Sequence, residues 1–339
     1  MRWQLYTLFR AAMAPIPHSL RRRLQDVGGR SRLDIGTDYP RKLSFVRRMR
    51  EQGLPVEGRT FLEIGTGWHP VLPVLLSMLG ARRVIGSDLN PWLNRRSLGE
   101  TLDAMHGIAD RIADDLGLAP GDCREQLGRW RALAADPAVP LDEVLDAARL
   151  EYRAPLDAQK TDFADHQFDY MVSSNVLEHV PPCVIRGIID ESLRILAPDG
   201  QHLHHVNPGD HFSIVDPAIS SVHFLRFSAR AWRFIGGWGA GYHNRLRCAD
   251  YGRMFQEQGF DVTCDEAEVD PRALSDLRQG RVRPHESYAG YTHEELAAHV
   301  VDVFARPRAA VGAAATATAA APAAVVVARA EPVEATVGV

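Results

Sequence analysis

Cysteine is scarce in this chain: Cys123, Cys183, Cys248 and Cys264 are the four in 339 residues, and no two form a CxxC pair. That spacing excludes a disulfide scaffold and a cysteine-based zinc framework, and it reads as reduced thiols in a cytoplasmic protein. A positive excess is missing too. The formal net charge is −4, so no global basic surface is on offer to a nucleic acid. Hydrophobic runs that could span a membrane are absent in usable form. The opening MRWQLYTLFRAAMAPIPHSLRRRL is interrupted by Arg10 and lacks the order of a signal peptide. A helix packed on the neighbouring domain is expected there. The alternative is an amphipathic helix lying on a membrane beside Arg21, Arg22 and Arg23. Residues 309–328 carry no charge, yet they are mostly alanine, broken by Pro322 and without flanking aromatic anchors. A disordered low-complexity tail is therefore expected over 307–339.

What is present is an ordinary globular composition, 45% hydrophobic and 24% charged, in a chain long enough to bury a full core. Short apolar runs resembling buried strands are RTFLEIG, RRVIGSD, FDYMVSS and GQHLHHV. Segments of helical period separate them, VLPVLLSMLG after the first and PCVIRGIIDESLRIL before the last. Such alternation predicts a doubly wound, mostly parallel α/β sheet. CADYGRMFQEQGFDVTCDEAEV then reads as a helix, a stop at Gly259 and a strand. Residues 95–150 break the pattern: polar, helical in period and interrupted by Pro120, Pro137 and Pro140, they predict a helical insertion. The expected organisation is a helical N-terminal extension over 1–57, an α/β domain over 58–270 containing that insertion, and a C-terminal extension over 271–306 before the tail. No internal repeat is visible.

The first strand ends in FLEIGTGWHP, a Gly-Thr-Gly turn with Glu63 just ahead of it. Pro70 stands where a dinucleotide fingerprint places its third glycine, which argues against a nicotinamide-dependent oxidoreductase. Gly65 and Gly67 allow the backbone to turn sharply and approach a ligand. A carboxylate at Glu63 would repel a pyrophosphate but accept a hydrogen bond from an ammonium group. Asp88 closes the next strand about 20 residues on, a spacing that suits the two hydroxyls of a ribose. The ligand these residues describe is a nucleoside with an amino-acid arm.

The block LEYRAPLDAQKTDFADHQFDYMVSSNVLEHV resembles the corresponding part of class I S-adenosylmethionine-dependent methyltransferases, of the type 11-like kind. It carries Asp157-Ala158, an acidic loop, Phe168-Asp169 opening a strand, and Leu177-Glu178-His179 after it; ESLRILAPDGQHLHHV looks like that family's next helix, turn and strand. The resemblance covers roughly residues 58–270. It implies a seven-stranded Rossmann-like sheet and S-adenosylmethionine as cofactor. It further implies Glu63 near the methionine amino group, with Gly65, Thr66 and Gly67 lining methionine and ribose. Asp88 would hold the ribose hydroxyls, Leu89 would lie beside the adenine, and Asp157 and Ala158 would meet its edge. Ser174 and Asn175 would be close to the methionine arm. Trp68-His69-Pro70 and the long insertion depart from the family's usual pattern and reshape what lies above the cofactor.

Methyl transfer to a hydroxyl needs a base as well as a positioned acceptor. His179, His205, Asp210 and His211 are the candidates, the last three grouped near the end of the fifth strand. The ligand types of His205, Asp210 and His211 also suit a metal, but their spacing matches no metal signature, and none is expected. His202 and His204 read as exposed or packed. Trp232, Phe234, Trp238, Tyr242, Arg245 and Arg247 could line an acceptor pocket or fill a packed loop. The expected acceptor is a small polar molecule or glycan taking the methyl on oxygen, with no nucleic-acid partner. A loose likeness to methyltransferases of cell-surface carbohydrate synthesis is analogy alone. The alternative reading is a non-catalytic subunit that kept the cofactor fold. Oligomeric state is not readable.

Overall fold

The computed structural model describes residues 2–13, 32–236, 242–308 and 326–328. Its elements in chain order begin with helices α1 (Trp3–Met13) and α2 (Ile35–Glu51), then β1 (Thr60–Ile64), α3 (Val71–Met78) and β2 (Arg83–Ser87). Four helices follow, α4 (Arg95–Gly107), α5 (Ala109–Leu116), α6 (Pro120–Ala135) and α7 (Leu141–Ala147), before β3 (Leu150–Arg153) and β4 (Phe168–Ser174). Next come α8 (Pro182–Ile195), β5 (Leu196–Val206), α9 (Phe212–Val215), α10 (Ala229–Ile235), α11 (Cys248–Glu257) and β6 (Phe260–Val269). The chain closes with α12 (Pro271–Arg278), α13 (His293–Leu296), β7 (Ala298–Pro307) and β8 (Val326–Ala328). It divides into two compact units, with β5 contributing residues to both.

The first unit spans 15–176 and 183–203, and its strands run in the order β3-β2-β1-β4-β5. β1 pairs parallel with β2 and β4, and β2 parallel with β3. Every residue of β1 is buried, as a parallel strand covered on both faces requires. Helix α3 is buried at all eight positions and apolar except for Ser77, whose hydroxyl donates to the Ala148 carbonyl; this is the signature of a helix inside the core rather than on its surface. The expected insertion is four helices between β2 and β3, closed over Leu98, Leu102, Ile112, Leu127 and Trp130. Trp130 is buried and its indole N–H donates to the Ala147 carbonyl at 3.1 Å, so its one polar atom is satisfied. Helix α2 is tied to α5: the Tyr39 hydroxyl donates to Asp115 at 2.9 Å, Arg47 pairs with Asp115 at 2.7 Å, and Arg50 donates to the Leu116 carbonyl. Arg111 lies over the Tyr39 ring at 5.3 Å and pairs with Asp115 at 3.6 Å, so one carboxylate gathers all three partners.

The second unit holds 1–14, 177–182 and 204–339. β6 and β7 pair antiparallel over nearly their whole length, and β8 adds a short parallel strand on β6. The eight described strands are thus one more than the seven expected, and β7 lies in what the sequence suggested was an extension. Around Phe212, Val222, Phe224, Leu225, Trp232, Leu277 and Leu296 a separate core forms, capped by well-formed helix starts. Asp270 accepts from the backbone of Arg272 and Ala273 at the start of α12, and Thr292 and Glu295 make a reciprocal capping box for α13. Helix α1 packs here through Trp3, whose ring meets Phe212, His223 and Phe227, and through Tyr6 against Phe212. Leu5 and Leu8 remain exposed. Arg21, Arg22, Arg23, Trp238 and most of the expected tail lie outside the described residues.

Candidate functional site

The Gly-Thr-Gly turn leaves β1 and folds back along β2. The N–H groups of Gly65 and Thr66 both donate to the Ser87 carbonyl, at 2.8 and 3.1 Å. Gly65 has φ +76°, and a Cβ there would stand 2.5 Å from a Val176 methyl, so glycine is needed on both counts. Gly86 in β2 opposes Glu63, and a Cβ on it would come within 2.6 Å of the Thr66 hydroxyl. The strand is bare there so that the turn can lie against it.

Glu63 is 3% exposed, and its Oε2 has no hydrogen-bond partner. Burial raises its pKa above the ordinary carboxylate value; the charge of Lys42 and the neighbouring Thr66 hydroxyl oppose the rise, and Asp88 adds to it. A buried carboxylate oxygen without a partner is what a cationic ammonium group would complete. Asp88 is held by its neighbours' backbone: Gly67 N–H donates to Oδ2 at 3.2 Å and Asn90 N–H to Oδ1 at 3.0 Å. Burial raises its pKa as well, and the N–H groups of Asn90, Gly67 and Leu89 counter this. Leu89 offers an apolar side chain that is 65% exposed, and Ala158 is buried. Asp157 is exposed and already accepts from Gln159 through backbone and side chain. At the end of β4 the Ser174 hydroxyl is buried with no hydrogen-bond partner, and Asn175 adopts φ +58°. Together these residues fit S-adenosylmethionine: an orphaned carboxylate oxygen for its ammonium, a backbone-held carboxylate for its ribose, and an apolar side chain for its base.

Lys42 is the residue that sequence reasoning passed over. It stands on α2, in the N-terminal extension, and its ammonium lies 3.4 Å from the Ser174 carbonyl. The departures after the turn also have structural reasons. Trp68 packs against Trp92 at 4.9 Å, and His69 Nδ1 meets the Thr101 hydroxyl at 3.0 Å, which fixes α4 to the loop. Pro70 precedes α3 as its N-cap.

The histidines sort differently from their grouping in sequence. His205 is buried and paired with Asp302 of β7 at 2.7 Å. Asp210 is buried with its Oδ2 3.6 Å from His223 Nδ1, and burial raises its pKa despite that neighbour. His211 instead meets His179, ring centroids 4.9 Å apart, with His243 at 4.7 Å from the one and 5.7 Å from the other. The structure therefore brings His179 and His211 together and leaves His205 and Asp210 with separate partners. His243, which the sequence did not single out, is buried and held neutral by burial and by the two neighbouring imidazoles. His202 is buried against the Ser192 hydroxyl at 2.6 Å. His204 is stacked on Phe255, and burial alone lowers its pKa to about 3.

Arg245 and Arg247 are buried and their guanidinium groups are taken up by backbone carbonyls. Arg245 donates to the carbonyls of Phe224 and Phe227 and lies over the Trp232 ring. Arg247 is buried and serves the carbonyls of Pro208, Leu296 and Arg245. Trp232 is likewise core, its N–H on the His243 carbonyl, whereas Phe234 is exposed.

No curated protein matches the chain in sequence. Among solved structures it is similar to an S-adenosylmethionine-dependent methyltransferase of Mesorhizobium loti, at 15% identity and TM-score 0.40, over 77% of this chain and 96% of that one. It is also similar to a TehB-like S-adenosylmethionine-dependent methyltransferase of Corynebacterium glutamicum, at 13% identity and TM-score 0.37, over 86% and 96%. The family model described as methyltransferase domain matches residues 33–265, more than half of the sequence and the whole of the turn, β2 and β4. This chain belongs to that methyltransferase family, and its cofactor is S-adenosylmethionine.

Proposed function

We propose that the protein methylates an oxygen on a small polar acceptor, with Glu63, Gly65, Thr66, Gly67, Asp88, Leu89, Asp157, Ala158, Ser174 and Asn175 forming the cofactor site. The observation that carries the cofactor assignment is the buried Glu63 carboxylate with its unpartnered Oε2 beneath the glycine turn. When bound, the cofactor supplies an electrophilic methyl group on a sulfonium. The chain's own work is to hold and to take a proton. Glu63 accepts from the ammonium, Asp88 accepts from the ribose, and Lys42 limits the charge cost of keeping Glu63 ionised.

A hydroxyl acceptor must lose its proton in the reaction, and imidazole is the side chain suited to remove it near neutral pH. His179 and His211 are the pair this reading puts forward, because they adjoin each other and neither is fully buried. His205 and Asp210 are assigned supporting roles through Asp302 and His223. The negative net charge supports a small acceptor over a nucleic acid. Cys123, Cys183 and Cys248 form no disulfide among the described residues, which suits a cytoplasmic setting.

The test is a screen with methyl-labelled S-adenosylmethionine against sugars, small hydroxy acids, amines and RNA, followed by alkali treatment of the product. Label in an alkali-stable or ester product of a small hydroxylated compound is the expected result. Label confined to amines or RNA would reject the acceptor assignment while leaving the cofactor assignment intact.

A further inference from the structure

We propose that Glu178, His179 and His211 form a binding site for a divalent transition-metal ion. Their donor atoms, one carboxylate oxygen and one nitrogen from each ring, all lie within 4.8 Å of one another. Two imidazoles and a carboxylate are a recurrent ligand set for Zn²⁺, Fe²⁺ and their neighbours, with positions left over for water or substrate. Tetrahedral bonds of about 2.1 Å place ligand atoms about 3.4 Å apart, so shifts on the order of an ångström would close these three around an ion.

The side chains are prepared for it by their surroundings. The 3-10 turn Leu177–His179 is clamped by Asn244, whose N–H donates to the Glu178 carbonyl at 2.9 Å. Its side-chain amide donates to the carbonyls of Leu177 and Val180. His179 Nδ1 lies 2.8 Å from the Tyr242 carbonyl. A carbonyl only accepts, so Nδ1 carries the proton and Nε2 keeps the lone pair that a metal needs; ligating histidines are oriented in this way in known sites. Glu178 is fully buried, which holds its carboxylate in one place beside the two rings. His179 is exposed and His211 half-buried, so an ion could enter and would keep an open side. That is the form of a catalytic rather than a structural site. All three residues belong to the second unit, and the inference is independent of the cofactor assignment; an ion held by His179 and His211 would occupy the lone pairs that proton removal needs, so the titration also decides between these two roles for the pair.

The experiment is titration of untagged, chelator-treated full-length protein with Co²⁺, read by visible absorption and by calorimetry, with Zn²⁺ as competitor. One Co²⁺ per chain, displaced by Zn²⁺, is expected. His211→Ala and His179→Gln should each weaken binding by about 100-fold or more, since even outer-shell changes cost 10- to 100-fold. Melting curves identify any variant that fails to fold, and the remaining variant then decides. Absence of Co²⁺ and Zn²⁺ binding to the wild type at about 1 mM would overturn the proposal. So would binding that survives in a folded His211→Ala or His179→Gln protein.

Discussion

At the scale of single residues, Glu63 is where burial bears on the proposed cofactor site. Its pKa is raised by burial and by Asp88 and opposed by Lys42 and Thr66, so before ligand binds the neutral form is favoured more than in water. An ammonium ligand needs the carboxylate. Cofactor affinity should therefore rise as pH rises through the raised pKa of Glu63, then level off. The ligand's own amino group sets an upper end near pH 8. Calorimetry across about pH 5 to 8 checks this, with Glu63→Gln expected to bind more weakly and to lose the slope. Asp88→Ala should weaken binding by roughly 10- to 100-fold, the loss of one or two hydrogen bonds to a charged group. Unchanged affinity would refute its role. The places of Glu63 and Asp88 at the ends of β1 and β2 were legible because strand ends and glycine turns are local signals. Lys42 was not legible by spacing, for it comes from an element before the first strand. One signal was available: it is one of two lysines in a chain whose other positive residues are arginine.

At the scale of elements, β1, β2, β4 and β5 could be read from apolar runs, and the insertion from its proline-broken helical period. β7 could not. AHVVDVFARP is a plausible strand, but its place beside β6 is a pairing across a connection of some thirty residues that local pattern does not encode. The histidines failed for the same reason. His205, Asp210 and His211 are near in sequence, yet their partners Asp302, His223 and His179 come from three other segments. The contact between the turn and β2 offers a test of element packing. Gly86→Ala places a methyl 2.6 Å from the Thr66 hydroxyl, and it should cost about 1–3 kcal/mol of stability and displace the turn. Denaturant melts measure the first effect. Weaker cofactor binding measures the second, and a variant with wild-type values of both would show that the turn is not pressed against the strand.

At the scale of the whole molecule, acid sensitivity follows from His204. Burial lowers its pKa to about 3 in the fold, whereas an unfolded histidine titrates near 6.5. Below about pH 6 the unfolded chain binds a proton that the folded chain refuses, so stability falls as pH falls, by about 1.4 kcal/mol per unit from this group. His204→Phe should flatten the loss between about pH 6 and 4 relative to wild type, as read by urea midpoints; parallel curves would assign the acid response elsewhere. The carboxylate of Asp115 carries a different consequence. Because Tyr39 and Arg47 of α2 and Arg111 of α5 converge on it, the N-terminal extension and the insertion share one electrostatic node. Inheritance of the two additions is then not independent: a change tolerated in one depends on the state of the other. Tyr39→Phe and Asp115→Asn should each destabilise the protein, and the double variant should lose less than the two losses combined, by roughly 0.5–3 kcal/mol in a thermodynamic cycle. A lineage that trimmed either segment would have to rewrite its counterpart.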